Sequence, residues 1–177
     1  MKERAPRVIR RAYVALGSNC GDPVARVRAG MTALGRLPQT RVERCSSLYR
    51  TAPMGPVIDQ PDFINAVCRI KTELDANALM KRLLEIEARH GRVREGEPGG
   101  PRTLDLDFLM IDHQVIATPE LTLPHPRLHE RAFVLYPLAE LDPDLVIPGH
   151  GGVTELLGAC CDQRVQRLAQ AASADNS

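Results

Sequence analysis

The apolar residues of this chain switch between two periods, and the order of the switches limits the folds open to it. Val8 to Leu16 alternates as a strand and is closed by Gly17-Ser18-Asn19. Asp22-Pro23 then supplies a helix cap with proline in the first turn. Val24, Val27, Met31 and Leu34 recur at helical spacing up to Gly35. Arg41 to Tyr49 and Phe63 to Thr72 read as two further strands, with Ala66, Cys68 and Ile70 on one face of the second. Asp75 caps a second helix whose apolar stripe is Leu79, Leu83 and Ile86, and Gly91 ends it. One more strand reaches Ile111. The order β-α-β-β-α-β predicts an α+β fold with a ferredoxin-like βαββαβ core, an antiparallel sheet flanked by helices. Beyond it, Pro124, Pro126 and Pro137 punctuate a short-helix region, Leu145 to Ile147 suits a last strand, and Val153 to Ala169 a last helix. Residues 1–177 fit a single domain, with 1–6 and 171–177 as flexible tails.

The most informative strand is the one after Gly100-Pro101-Arg102-Thr103. Alternate residues of a strand share a face. Leu104, Leu106, Phe108 and Met110 are therefore expected on one side, and Asp105 and Asp107 on the other. Two strand steps set the two acidic Cα atoms roughly 6.6 Å apart, a spacing that lets two carboxylates converge on hard cations such as Mg²⁺. Aspartate is poor strand material, so a half-exposed edge strand with two solvated acids is the alternative.

Composition removes several function classes. A net charge of +1 gives no global field for nucleic acid. Lys2, Arg4, Arg7, Arg10 and Arg11 read as a solvated leader to the first strand, with an RNA-binding arm as the alternative. No apolar run follows them as in a signal peptide, and no stretch approaches the ~20 apolar residues of a membrane span. Aromatic residues make up only 3% of the chain, so the core must be aliphatic. Cys20, Cys45, Cys68, Cys160 and Cys161 are odd in number and match no zinc spacing. They are expected to be reduced thiols of a cytoplasmic protein.

Other motifs are weaker. Gly17-Ser18-Asn19-Cys20-Gly21 lacks the lysine of a phosphate loop and suits a tight turn. His125 and His129, four apart, lack the glutamate of a zinc-binding HExxH pair. His125, between two prolines, is better placed to donate to a phosphate oxygen. Arg92, Arg94, Arg102 and Arg131 cluster in sequence around the acidic strand, and planar guanidinium groups match phosphate oxygens. Glu87 stands five residues before Arg92, where it either orients an arginine or is solvated.

Taken in order, Gly17-Ser18-Asn19, Ser47-Leu48-Tyr49-Arg50-Thr51, Gly55-Pro56, Gln60-Pro61-Asp62-Phe63-Ile64-Asn65, Gly91-Arg92-Val93-Arg94, the Gly100 to Asp107 string and Leu123-Pro124-His125 closely resemble the 6-hydroxymethyl-7,8-dihydropterin pyrophosphokinases of folate biosynthesis. The resemblance runs from about Ala12 to about Leu157. It implies transfer of the β,γ-pyrophosphoryl group of ATP to the hydroxymethyl group of the pterin, with release of AMP. It implies two Mg²⁺ ions on Asp105 and Asp107, with Arg92, Arg102 and His125 as further catalytic residues. It implies a pterin site of Thr51, Ala52, Met54, Gly55, Phe63, Asn65 and Phe133. It implies an ATP site of Glu87, Arg94, Arg102, Phe108, Thr122, His125 and Arg131. Physical chemistry agrees, since a flat ring needs Phe63 and Phe133 against its faces and an amide such as Asn65 at its edge.

The partners implied are ATP and the pterin, with no nucleic acid or membrane, for a monomer. Thr51 to Asp62 and Arg92 to Pro101 are expected to close over the substrates. The chain departs from the family at Gly99, where an aromatic residue is frequent, and at Glu95 and Glu120, where a basic one is. Another Mg²⁺-dependent phosphotransferase and a non-enzymatic ferredoxin-like binding module are the rival readings.

Overall fold

The structure, a computed structural model, describes residues 5–92 and 102–169. Its elements are β1 (Arg10–Ser18), α1 (Pro23–Gly35), β2 (Thr40–Cys45), β3 (Tyr49–Thr51), β4 (Phe63–Thr72), α2 (Ala76–Arg89), β5 (Asp105–Ile111), β6 (Ile116–Ala117), β7 (Thr122–Leu123), α3 (Ala132–Leu141), β8 (Val146–Ile147), β9 (Gly151–Gly152), α4 (Val153–Gly158) and β10 (Val165–Arg167). The main sheet is antiparallel, in the order β10-β3-β4-β1-β5, with β2 also paired to β4. This is the ferredoxin-like arrangement, because β4 returns between the first and second strand segments and β5 returns to the far side of β1.

Local chemistry sets the helix ends. Asp22 Oδ1 accepts from the Ala25 N–H at 3.1 Å, and Asp75 Oδ1 from that of Ala78 at 2.8 Å. Each bond satisfies an amide that the helix itself leaves unpaired. At the far end of α2, Gly91 adopts φ 77°, a conformation open to glycine.

Both faces of the sheet carry a buried core. Ala12, Val14 and Leu16 of β1 and Ile64, Ala66, Cys68 and Ile70 of β4 meet Val27 and Leu34 of α1 and Leu79, Leu83 and Ile86 of α2 in one core. Tyr13, Ala15 and Val67 point the other way, into a second core with Leu135 and Leu138 of α3 and Val153 of α4. Helices thus flank the sheet on both sides, but α3 covers only part of its face. The uncovered part lies at the C-terminal end of β1 and the N-terminal end of β5.

The structure corrects several expectations. Met110 does not share a face with Leu104, Leu106 and Phe108. β5 pairs Met110 with Tyr13 and Phe108 with Val14, leaving Leu109 as an extra residue. That bulge inverts the alternation, so Met110 joins the second core and Ile111 the first. The single strand expected from Arg41 to Tyr49 is two, β2 and β3, because the chain breaks at Ser46-Ser47. The last helix ends at Gly158 rather than Ala169, and the chain returns as β10 against β3. Cys45 and Cys68, directly opposed on β2 and β4, are joined by a disulfide, while Cys20, Cys160 and Cys161 are free.

The tail residues 1–4 and 171–177, Arg94, Glu95 and Gly99 lie outside the described residues. Among the described residues no helix is long and apolar enough to cross a membrane.

Candidate active site

Cross-strand register builds the site. Tyr49 of β3 pairs with Asn65 of β4, Asn65 with Gly17 of β1, and Gly17 with Asp105 of β5. One row across the sheet thus carries an amide, a bare backbone position and a carboxylate. In the next row Ala15 pairs with Asp107. Neighbouring strands lie about 4.8 Å apart, so Asn65 and Asp105 flank a gap of roughly 10 Å between backbones, floored by Gly17 and Ala15. There is little room for a side chain at this point. A Cβ on Gly17 would come within 2.9 Å of Asn65 Oδ1.

Above this floor is a cavity of about 310 Å³. All seven residues expected at the pterin site line it: Thr51, Ala52, Met54, Gly55, Phe63, Asn65 and Phe133. Arg102, Asp105, Asp107 and Arg131 line it as well. Asn65 is 6% exposed, and its Nδ2 donates to Thr51 Oγ1 at 2.7 Å. That bond fixes the amide plane and leaves Oδ1 and the second N–H to read a ligand edge. The guanidinium carbon of Arg131 lies 5.6 Å from the centre of the Phe133 ring, which holds the ring beside the cavity.

The acidic half is more densely wired. Arg92 donates to both Glu87 and Asp105. Glu87 is only 2% exposed, and its Oε1 also accepts the Leu106 N–H at 2.8 Å. The glutamate therefore ties α2 to the backbone between the two aspartates. Arg131 reaches Asp107 at 3.4 Å. Burial, and then the charge of Asp105, push the Asp107 carboxyl well above the usual range, against the pull of Arg131 and Arg92. Burial and the nearby Arg131 pull His125 down to about 4, so its ring is neutral at physiological pH. Its Nδ1 accepts the Arg127 N–H at 3.2 Å, which puts the proton on Nε2. The His125 backbone N–H donates to the bulged Leu109 carbonyl at 2.7 Å, which fixes the histidine beside β5.

Not every expected residue reaches the cavity wall. Glu87 lies behind it, and Thr122 is exposed on β7. Phe108 is 4% exposed, with its ring in the core between sheet and helices. Conversely, sequence patterns did not pick out Ala15, Leu16, Arg127 and Glu130, which line the cavity. Gly17 is legible in the sequence as a turn residue and as part of a family motif, not as the floor of a site. Its place between Asn65 and Asp105 depends on register, which a single strand pattern does not carry. His129 stacks on His150 with ring centres 3.9 Å apart, so it does not pair with His125.

The carboxylates suit a metal of one kind. Among the described residues no cluster of three or more His, Cys, Asp or Glu could hold an ion. A pair of aspartates fits Mg²⁺, which keeps waters and substrate phosphates among its ligands. It does not fit a closed structural zinc site. Beside burial, the charge of Asp105 raises Asp107, and that repulsion is what a shared cation would relieve.

A family model described as 7,8-dihydro-6-hydroxymethylpterin-pyrophosphokinase matches residues 13–143. The 2-amino-4-hydroxy-6-hydroxymethyldihydropteridine pyrophosphokinase of Pseudomonas aeruginosa is 46% identical over 91% of this chain and 98% of its own. The enzyme of the same name from Haemophilus influenzae is 43% identical over 89% of this chain and 97% of its own. Among solved structures, Plasmodium falciparum HPPK-DHPS with pteroate superposes with a TM-score of 0.69 at 13% identity. That match covers 89% of this chain but only 43% of the Plasmodium chain, and at such identity it speaks for the fold alone.

Proposed function

This chain belongs to the 7,8-dihydro-6-hydroxymethylpterin-pyrophosphokinase family, and from that premise we propose how its own residues carry out the family's reaction. It transfers pyrophosphate from ATP to the hydroxymethyl group of 6-hydroxymethyl-7,8-dihydropterin in folate biosynthesis and releases AMP. The hydroxymethyl oxygen attacks the β-phosphorus of ATP, and the bond from that phosphorus to the α,β-bridging oxygen breaks. No covalent enzyme intermediate is needed, so catalysis is positioning and charge neutralisation.

Each half of the cavity takes one substrate. The pterin lies between Phe63 and Phe133, with its edge read by Asn65 and its surroundings completed by Thr51, Ala52, Met54 and Gly55. The triphosphate lies against Arg92, Arg94, Arg102, Arg131 and His125, with Thr122 further out and Glu87 acting through Arg92. His125, neutral and protonated on Nε2, donates to a phosphate oxygen. Asp105 and Asp107 would hold Mg²⁺, two ions in this proposal, which would supply positive charge against the triphosphate. Arg92 then exchanges its contact with Asp105 for phosphate while staying anchored on Glu87. The buried Arg92 Nε, without a hydrogen-bond partner among the described residues, supports that exchange. The protein acts as a monomer in the cytoplasm, a location that suits ATP as co-substrate.

The observation that carries the proposal is the row Asn65, Gly17, Asp105, which sets an amide reader and an acid pair on either side of an open floor. Incubation with ATP, Mg²⁺ and the pterin is expected to give pterin diphosphate and AMP in equal amounts. ADP or free phosphate as the product would point to a different phosphotransferase. Asp105→Ala and Asp107→Ala should each lower kcat at least about 10²- to 10³-fold, the loss typical of one strong transition-state contact.

A further inference from the structure

Between the two halves of the cavity, one buried side chain touches the supports of both. Asn19 follows β1 and is 3% exposed. Its Oδ1 accepts the Arg102 N–H at 2.8 Å, and its own N–H donates to the Arg102 carbonyl at 3.1 Å. Both backbone groups of the phosphate-side arginine are therefore held by this one residue. On its other side, Asn19 Nδ2 donates to Gln60 Oε1 at 2.9 Å and to the Pro61 carbonyl at 3.1 Å. Gln60 Nε2 donates in turn to the Val57 carbonyl at 2.7 Å. An unbroken series of amides thus runs from Arg102 through Asn19 and Gln60 to Val57, inside the segment that carries Met54 and Gly55 to the pterin half.

We propose that Asn19 is a positioning residue that couples the two substrate halves, holding Arg102 and the Gln60–Pro61 end of the pterin segment in one fixed relation. Asn19 does not line the cavity. Its two donors and its oxygen are all engaged, so a shift at Arg102 on phosphate binding must be taken up at Gln60 and Pro61, and the reverse. Coupling of this kind is reciprocal between ligands, and fully satisfied buried amide networks are stiff enough to carry it. The inference rests on the assignment of ATP and pterin to the two halves.

The test measures, by calorimetry on the full chain, the affinity of an α,β-methylene ATP analogue with Mg²⁺ and of 6-hydroxymethyl-7,8-dihydropterin, each alone and with the other present. In the unaltered protein each ligand should strengthen the other by a factor in the usual range of about 5–150. Asn19→Ala should shrink that factor at least fivefold. Gln60→Leu leaves Arg102 anchored and cuts the series at its next link. It should also shrink the factor while leaving the affinity for the ATP analogue alone within about twofold. Asn19→Asp keeps the acceptor for the Arg102 N–H but loses the donors to Gln60 and Pro61, and should behave like Gln60→Leu. A purely structural role would instead lower melting temperature and both single-ligand affinities while the mutual factor stayed constant, and that result overturns the proposal. Should Asn19→Ala fail to fold, unchanged coupling in both Gln60→Leu and Asn19→Asp, which together remove the links to Gln60 and Pro61, overturns it. Absence of mutual strengthening in the unaltered protein overturns it too. Failure of the unaltered protein to bind either ligand would strike the functional assignment instead.

Discussion

A methyl group at Gly17 would press on the Asn65 amide at 2.9 Å, and the next obstacle, the Ile64 carbonyl, lies at 3.9 Å. The side chain rather than the backbone must therefore yield. Gly17→Ala should fold, but it should turn the Asn65 amide from its bond with Thr51 and weaken pterin binding. The expected loss is that of one buried polar group left unmatched, about 1–3 kcal/mol, with affinity for the ATP analogue alone unchanged. Separate titrations check it, and equal losses for the two ligands would refute it. Asp107 gives a second case. A carboxyl held above its ordinary value keeps its proton in the native state where the unfolded chain has lost it. The stability of the metal-free protein must therefore fall as pH rises from the ordinary carboxylate range toward the raised native value. Asp107→Asn removes that titration. Without Mg²⁺ it should be about 1 kcal/mol more stable near neutral pH, melting roughly 2–4 °C higher, although activity collapses. A variant that melts lower than the parent from pH 5 to 8 would show that the Arg131 pair outweighs burial. The facing of Asp105 and Asp107 was legible from alternation alone. That Glu87 orients Arg92 was one of two readings open to the sequence; that Arg92 also meets Asp105 was not legible, because it needs the end of α2 to meet the edge of β5.

At the scale of elements, Glu140 explains a break that the sequence hid. Its carboxylate, on α3, accepts the Ser47 N–H at 3.0 and 3.1 Å, the Ser47 hydroxyl at 2.8 Å and the Tyr49 hydroxyl at 2.6 Å. Arg167 of β10 joins at 3.3 Å. The Ser46 hydroxyl accepts the Val67 N–H at 2.9 Å, standing in for the ladder where β2 stops. Neither Gly nor Pro marks this position, so period-two alternation ran through it, and the substitute partner lies 93 residues away. The bulge at Leu109 and the return of the chain as β10 were hidden for the same reason. Each is set by pairing with a distant strand, whereas the helix starts at Asp22 and Asp75 are local chemistry and were readable. Glu140→Ala leaves several donors unmet and should destabilise the protein by at least about 2 kcal/mol, a fall of roughly 4–8 °C in Tm. Burial alone would raise the Glu140 carboxyl, but donation from Tyr49 and Ser47, with Arg167 nearby, holds it below its ordinary value. A depressed carboxyl contributes stability above its unfolded value, and that stability is lost as pH falls through the native one. The difference between the parent and Glu140→Gln should accordingly narrow in acid. A constant difference down to pH 3 would mean that the charge of Glu140 contributes nothing.

For the molecule as a whole, the ferredoxin-like core is a rigid platform with one open corner. The residues over that corner come from connections rather than from core elements. From Ala52 to Asp62 the chain forms neither helix nor strand. It nevertheless carries Met54, 48% exposed, and Ile58, 75% exposed. Two large apolar side chains left to water beside a cavity are surface that a closing movement would cover. A transferring pyrophosphoryl group also has to be kept from water. The segment is pinned at one end by the pairing of Thr51 with Phe63 and at the other by Asn19 on Gln60 and Pro61. Motion is therefore confined to the stretch between them, where Gly55 at φ 113° supplies a bend that other residues rarely adopt. Hydrogen exchange should show the amides of 54–59 unprotected in the free protein and slowed at least about tenfold, some 1.4 kcal/mol of added local stability, when the Mg²⁺-bound ATP analogue and the pterin are both present. Either ligand alone should give less, since only the full pair fills both halves of the cavity. The amides of β4 from Ile64 to Ile70, already locked between β1 on one side and β3 and β2 on the other, should not change and serve as the internal reference. If 54–59 exchange at one rate in all four states, this segment is a fixed wall, and the exposure of Ile58 has no part in closing the site.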